Sequence, residues 1–396
     1  MEQCAIVGMG LVTALGAGVE EVWGAILAST SGIRLLRRFP QGRYASNYAG
    51  ELPEAVLNGL TSQASNGEPP LAFLLALNAA REALAGAFPG QGSRPRRRVG
   101  LVLATTKGDL TEFESLVRDG APPRRGHFNP YLLAQDLALA LGLVGPVVAV
   151  SGACASGLFA LVQAARLLAR GTAEAVLAVG VDVLSDFVLA GFSSVAALDP
   201  EPCRPYDASR AGLSLGEGAG AAVLAPAGAW PGKELVRMAG WGVANDARHI
   251  TAPSRTANGL IHAIRQALAH AGLTPAEIGY INGHGTATLY NDAMEAKAIS
   301  NIFGEATPVS SLKGYLGHTL GAAGLIEAIL TVAAVNSQTI PASLGFTAQG
   351  ADDPIHVVNR HLPQPDLRTA LTLKSGFGGI NVALALTAAG DNQWRP

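Results

Sequence analysis

Charge and cysteine are scarce in this chain, and both scarcities narrow what it can do. Only 15% of the 396 residues are Asp, Glu, Lys or Arg, and they sum to a net charge of -2. Nothing in that balance draws the whole protein to nucleic acid or to an anionic membrane surface. The three cysteines, Cys4, Cys154 and Cys203, form no CxxC pair and have no metal-ligand spacing. They argue against a disulfide framework and fit a reducing, cytoplasmic setting. Aromatic residues are few, at 6%. The start, Met1-Glu2-Gln3-Cys4, has no basic segment ahead of its apolar run, so no signal peptide is expected there.

What the chain has in quantity is small and apolar. Hydrophobic residues make up 49%, and there are 48 glycines. That composition describes a large core with closely approaching backbones. A length of 396 residues exceeds what one compact core needs, so two domains or one duplicated domain are expected. Residues 137–165 carry no charge and could span a bilayer by length. Gly145-Pro146, Ser151-Gly152 and Ser156-Gly157 divide that run into strand, turn and helix, which argues against a membrane span.

Short β-rich runs alternate with helical ones, the signature of an α/β protein. Strands are predicted at 4–8, 98–104, 146–151, 175–181, 219–225, 235–241, 278–282, 308–310, 355–358, 369–375 and 380–386. Helices are predicted at 19–28, 70–86, 130–141, 155–170, 256–271, 291–303 and 321–335. The loop Pro226 to Lys233 is the best boundary between two halves, 1–229 and 230–396. Each half holds several strands and helices, which suggests duplication although no repeat is visible in the letters.

Five segments carry chemistry-bearing or charged residues. Cys154 lies in Ser151-Gly152-Ala153-Cys154-Ala155-Ser156-Gly157, between a buried strand and a buried helix. Small neighbours permit a sharp turn, and the helix behind the sulfur favours thiolate. A small buried hydrophobe is the alternative reading. His284 follows a strand in Asn282-Gly283-His284-Gly285-Thr286, where a neutral imidazole can donate or accept a proton. Lys313 and His318 share another strand-to-helix loop, and Glu327, nine residues past His318, is a candidate partner for Lys313. The turn Ser375-Gly376-Phe377-Gly378-Gly379 lies between two apolar strands and reads either as an oxyanion-binding turn or as a packed hairpin. In Arg204-Pro205-Tyr206-Asp207, Asp207 near Arg204 and Arg210 reads as a charge cluster that organises loops.

In this order the segments resemble the β-ketoacyl-acyl-carrier-protein synthases, and more narrowly the elongating Cys-His-His type. The resemblance runs from Ile6-Val7-Gly8-Met9-Gly10 to the Gly-Phe-Gly-Gly turn. It implies the thiolase fold, two similar α/β halves in a five-layered αβαβα sandwich. It also implies a dimer whose interface lies beside the nucleophile.

The implied reaction is a decarboxylative Claisen condensation. Cys154 takes an acyl chain from acyl-carrier protein, and malonyl-carrier protein then extends it by two carbons. The N–H groups of Cys154 and Phe377 would form an oxyanion hole. His284 and His318 would hold the malonyl thioester, while Lys313 and Glu327 would support the histidine loop. Thr286 and Thr288 would bind the pantetheine arm, Phe377 would gate the acyl pocket, and Gly378 would belong to the same substrate-binding turn. No cofactor or metal is implied, because phosphopantetheine arrives on the carrier protein. Acidic carriers would meet a local basic patch, with Arg118, Arg124 and Arg125 as candidates and Arg94 and Arg96 to Arg98 as a solvated loop.

One segment departs from the family pattern: Ala104-Thr105-Thr106-Lys107-Gly108-Asp109 stands where a Gly-Ser-Gly-like run is usual. That favours a specialised, polyene-like type II polyketide pathway over primary fatty-acid elongation. Two other readings remain. A non-catalytic partner subunit of chain-length-factor type would be expected to lack Cys154. A degradative thiolase would need a second catalytic cysteine, which the Gly-Phe-Gly-Gly turn does not supply.

Overall fold

Alternating strand residues feed three separate apolar layers, and those layers define the architecture. In strand Val99–Ala104, Leu101 and Leu103 pack into one core, and Val102 and Ala104 into another. In strand Ile380–Ala388, Val382 and Leu384 join that second core, while Ala383 and Ala385 join a third. Such period-two sorting requires sheets covered on both faces. The computed structural model describes residues 4–62, 69–90, 97–123 and 125–390.

The strands fall into two sets of the same topology. The first runs, side by side, Cys4–Thr13, Gly218–Pro226, Ala175–Asp182, Val99–Ala104 and Val147–Val150. The second runs Val236–Asn245, Ile380–Ala388, Thr369–Ser375, Tyr280–Asn282 and Pro308–Ser310, with His356–Val357 beyond it. In both, the first two pairings are antiparallel and the next two parallel. Residues Cys4 to Ile6 pair with Val236 to Met238 and join the two sets into one hydrogen-bonded surface. Helices Leu71–Ala87 and Pro130–Leu141 cover the outer face of the first set. Helices Asn258–Ala271 and Leu289–Phe303 cover the outer face of the second. Helices Ser156–Ala169 and Ala323–Ser337 fill the space between. This is the five-layered αβαβα thiolase fold.

The predicted strands and helices all form, with shifts at their ends. Helices Glu54–Thr61, Thr111–Asp119 and Asp186–Ser194 were not expected from the sequence. Thr111–Asp119 carries an apolar stripe, Phe113, Leu116 and Val117, but buries none of it. The uncharged run 137–165 divides into helix, strand, turn and helix, as its Gly and Pro positions imply. Among the described residues one helical segment, Leu320–Ser337, is long and apolar enough to cross a membrane. It is almost wholly buried between the sheets, as a core helix is.

Glycine sets how closely the layers approach. A Cβ on Gly8 or Gly10 would lie 2.1 Å from the carbonyl oxygen of Ala83 or Ala79. In the second half, Gly240 and Gly242 meet Ala267 and Ala263 the same way, at 2.4 and 2.0 Å. The two central helices also touch through backbone. A Cβ on Gly157 would lie 2.3 Å from Leu325 N, and one on Gly324 would lie 2.5 Å from Leu158 N. This crossing brings together the loops that precede both helices, one ending in Cys154 and the other carrying His318. Replacing a helical glycine by alanine ordinarily stabilises a helix by about 0.5–1 kcal/mol. Here Gly324→Ala is expected to destabilise the protein by about 1–3 kcal/mol in chemical denaturation, because the helices must separate. A stabilised variant would show that the crossing has slack.

Candidate active site

The nucleophile turn is built by a hydroxyl. Ser156, the first residue of its helix, accepts from Gly152 N at 2.8 Å and donates to the Ala153 carbonyl at 2.6 Å. Ala153 is held at a φ of 49°, a left-handed conformation that costs a non-glycine residue energy. Cys154 is buried at this turn. The Gly-Phe-Gly-Gly hairpin, between strands Thr369–Ser375 and Ile380–Ala388, lies directly against it. A Cβ on Gly376 would be 3.1 Å from Cys154 N. The N–H groups of Phe377 and Cys154 both reach the cysteine sulfur. The hairpin and oxyanion readings of this turn are therefore compatible.

Two buried carboxylates shape the His284 loop. Glu295 accepts from His284 N at 2.5 Å, Gly285 N at 2.7 Å and the Tyr206 hydroxyl at 2.8 Å. Asp292 accepts from Thr286 N at 2.9 Å, Ala287 N at 3.1 Å and Tyr206 N at 2.8 Å. Gly283 leaves room for the tyrosine, since a Cβ there would lie 2.0 Å from its hydroxyl. The His318 loop is tied to residues 214–216: His318 N donates to Ser214 O at 2.7 Å, and Gly216 N donates to His318 O at 3.0 Å. The Arg204 to Asp207 segment does organise loops, with one correction. The Asp207 carboxylate faces Ser209, Thr347 and Ala348, while Arg210 Nε lies 3.8 Å from Asp292.

These loops converge. Cys154 Sγ and one ring nitrogen from each of His284 and His318 lie within 4.8 Å of one another. The two imidazoles meet edge to face, with centroids 5.3 Å apart and an 81° angle. Behind them Lys313 Nζ donates to the His284 carbonyl and, at 2.8 Å, to Glu327 Oε1.

Burial, with the charges of Lys313 and Lys374, holds both histidines well below the usual imidazole range, so they are neutral. Burial also pushes the Cys154 thiol up to about 11, with Lys313 and the two N–H groups pulling back and Asp182 adding to the rise. This corrects the expectation of a thiolate: desolvation outweighs the helix terminus, and the resting cysteine is a protonated thiol. A neutral histidine beside it can take the proton as the sulfur attacks.

A cavity of about 350 Å³ opens onto the sulfur and is lined by His284, His318, Thr286, Thr288, Phe377 and Phe192 among others. Phe192 stacks on Phe377 at 5.9 Å. Gly378 does not line the cavity: its N–H donates to Ile250 O and its carbonyl accepts from Asn245 Nδ2, so it braces the turn.

The atypical 104–109 run proves to be a clamp on one carboxylate. Thr105 Oγ1 at 2.9 Å, Thr106 N at 3.0 Å and Lys107 Nζ at 2.8 Å all reach Asp182, which also feels the Gly321 N–H at 2.7 Å. Of the arginines considered for docking, Arg118 and Arg125 lie within 4.0 Å of Asp119 and Asp136 respectively. Arg97 is 3.9 Å from Glu174, and Arg98 donates to the Gly171 carbonyl. Arg94, Arg96 and Arg124 lie outside the described residues. Glu295, Asp292, Tyr206 and Lys374 were not singled out as site residues. Their signal was faint: two acids in a polar helix, and a lysine in an otherwise apolar strand.

A Cys-His-His donor set could suit zinc. A ligating histidine normally hands its second ring nitrogen to a polar partner, whereas Nδ1 of both His284 and His318 is buried without one. The arrangement fits acyl chemistry better than a metal centre.

Two family models match the chain in tandem, Beta-ketoacyl synthase N-terminal domain over residues 1–228 and C-terminal domain over residues 235–347. The chain belongs to the β-ketoacyl synthase family. Among curated proteins, this synthase is 33% identical to 3-oxoacyl-[acyl-carrier-protein] synthase 2 of Vibrio cholerae serotype O1, over 96% of this chain and 97% of that one. Among solved structures it is similar to the ishigamide ketosynthase/chain length factor, with a TM-score of 0.90 and 29% identity over 98% and 100% of the two chains. A type II PKS acyl-carrier protein in complex with its ketosynthase bound to the hexaketide gives a TM-score of 0.85 at 25% identity, over 98% and 99% of the chains.

Because the synthase's cysteine rests as a buried thiol, its alkylation by iodoacetamide is expected to rise about tenfold per pH unit from pH 7 to 9. Lys313→Met should slow it further, since the lysine's charge favours thiolate. A plateau below pH 8 would contradict the raised thiol.

Proposed function

We propose that this protein is a β-ketoacyl-acyl-carrier-protein synthase that carries the growing chain on Cys154 and extends it by two carbons from malonyl-carrier protein. The observation that supports this most directly is the meeting of Cys154 Sγ with His284 and His318 within 4.8 Å at the floor of a cavity. In the first step the Cys154 thiol attacks the acyl thioester carbonyl. Its proton passes to a neutral imidazole and then to the departing pantetheine sulfur. The carbonyl oxygen, negative in the tetrahedral intermediate, is held by the N–H groups of Cys154 and Phe377.

In the second step the malonyl thioester oxygen lies between His284 and His318. The bond to the carboxylate breaks, carbon dioxide leaves, and the electron pair becomes an enolate. Neutral imidazoles suit this task, because each can donate one N–H to the enolate oxygen without a permanent charge to desolvate. The enolate carbon then attacks the acyl-cysteine carbonyl, a carbon–carbon bond forms, and the cysteine leaves as a thiolate that takes a proton from solvent. No resident metal or cofactor takes part in this reading; phosphopantetheine belongs to the carrier. Thr286 and Thr288, on the cavity wall, are positioned for the pantetheine arm, and Phe377 is positioned to gate the acyl chain.

Two partners belong to this reading. Acyl-carrier protein is the substrate carrier. A second ketosynthase-like chain, a copy of this one or a different subunit, would cover the first set's edge strand Val147–Val150. That strand is only half-buried, and Leu139, Val144, Phe128, Tyr131 and Leu132 stand exposed on the segments that flank it in sequence. The pathway we assign is a discrete type II polyketide system. It draws support from the likeness to the ishigamide ketosynthase/chain length factor and from the atypical Thr105-Thr106-Lys107 clamp beside the nucleophile. A non-catalytic subunit is disfavoured because cysteine and both histidines are present and assembled.

Incubation with a panel of acyl-carrier proteins should add one acyl mass to Cys154, and Cys154→Ala should lose the increment entirely. Persistent labelling at another residue would overturn the assignment. His318→Ala should still accept the acyl group yet lose malonyl decarboxylation by about a hundredfold or more, measured as carbon dioxide release.

A further inference from the structure

Glu327 is shared by two lysines, and the second, Lys374, touches no substrate in the mechanism above. Lys374 lies on strand Thr369–Ser375, whose residues Leu371 and Leu373 face the outer core. Alternation turns Lys374 toward the central helices. Its Nζ is 2.8 Å from Glu327 Oε2, donates to the Leu373 carbonyl at 2.7 Å and reaches Asn282 Oδ1 at 3.3 Å. Lys313 Nζ holds the other oxygen of Glu327 at 2.8 Å. All three side chains are buried, with Lys374 fully so. Two cations thus share one anion in a low-dielectric interior, where a fixed charge acts strongly on its neighbours.

The contacts of Lys374 lead to both halves of the site. Asn282 is two residues ahead of His284, and Lys374 itself is three residues ahead of Phe377. We propose that Lys374 is a positioning residue of the condensing site: it ties the His284 loop, through Asn282, to Glu327, and its charge acts on both histidines. The inference rests on the condensing-enzyme reading and deepens it.

The groups that face Lys374 are Glu327 on the central helix, Lys313 at the head of the His318 loop, Glu295 on helix Leu289–Phe303, and the two histidines. Burial, opposed by Glu327 and reinforced by Lys313, brings its own ammonium down to about 8. The direction of its effect follows from sign: a nearby cation disfavours imidazolium, so removing it raises the pH at which the histidines protonate. Cys154, in contrast, has Lys313 as its main charged support.

The test compares the full-length protein with Lys374→Met, which removes charge and hydrogen bonds, and with Lys374→Gln, which removes the charge but keeps an N–H donor. Imidazole NMR titration should place His284 and His318 about one pH unit higher in both variants. Decarboxylation of malonyl-carrier protein should fall at least about tenfold on its pH plateau, because the His284 loop is loosened, with its acid limb moved upward, while acyl transfer to Cys154 falls no more than about threefold. Histidine titrations that do not move, or acyl transfer and decarboxylation that fall together, would sink the proposal. So would failure of both variants to fold, which would make Lys374 a folding residue. If the wild-type enzyme itself accepts no acyl group, the condensing reading fails, and the histidine titration still decides the role of Lys374.

Discussion

The direct backbone contact between helices Ser156–Ala169 and Ala323–Ser337 is the constraint on which the rest depends. Gly157 and Gly324 face one another with no space for a Cβ. Close-packed interiors transmit such a constraint because they have little free volume. The crossing sets the distance between the two sheets, and it sets how far Cys154 stands from the loop that ends in His318. A reaction that needs a sulfur and two imidazoles within 4.8 Å therefore begins as a problem of helix packing.

The electrostatics complete what the packing begins. Every group meant to act on substrate is neutral at rest: a protonated thiol and two unprotonated imidazoles. The formal charges lie one layer further back, in Lys313, Glu327 and Lys374, and beside the site in the clamped Asp182. Negative charge then appears only as the reaction proceeds, on the oxyanion or the enolate, and meets prearranged N–H donors. Preorganisation of this kind avoids solvent rearrangement at the moment of reaction.

Much of this was legible in the sequence, for definite reasons. Strands and helices with strong apolar periodicity stood out, and the nucleophile loop was marked by Gly-Pro and Ser-Gly breaks in an uncharged run. The thiolate was misjudged because the sequence shows both a helix terminus and a buried setting but not which of the two dominates at the sulfur. Glu295 and Asp292 escaped notice because most of their partners are backbone N–H groups, which leave no letter. The duplication was invisible as identity yet present as chemistry: Gly8 and Gly10 face Ala79 and Ala83, and Gly240 and Gly242 face Ala263 and Ala267. What repeats is the small size of paired positions far apart in the chain, and no local window contains both members.

The first strand, Cys4–Thr13, has a consequence for how the protein is made. Its neighbours on either side are Gly218–Pro226 and the start of Val236–Asn245. A ribosome adds roughly 5–20 residues per second, so this buried apolar strand, apart from its end at Val12 and Thr13, stays unpaired for roughly 10–40 s after it is made. Pairing over so long a separation is slow in any case, because loop closure precedes the contacts that reward it. The strand that seams the two sheets together is thus the longest exposed during synthesis, and the cell must keep it from other sheet edges until its partners arrive.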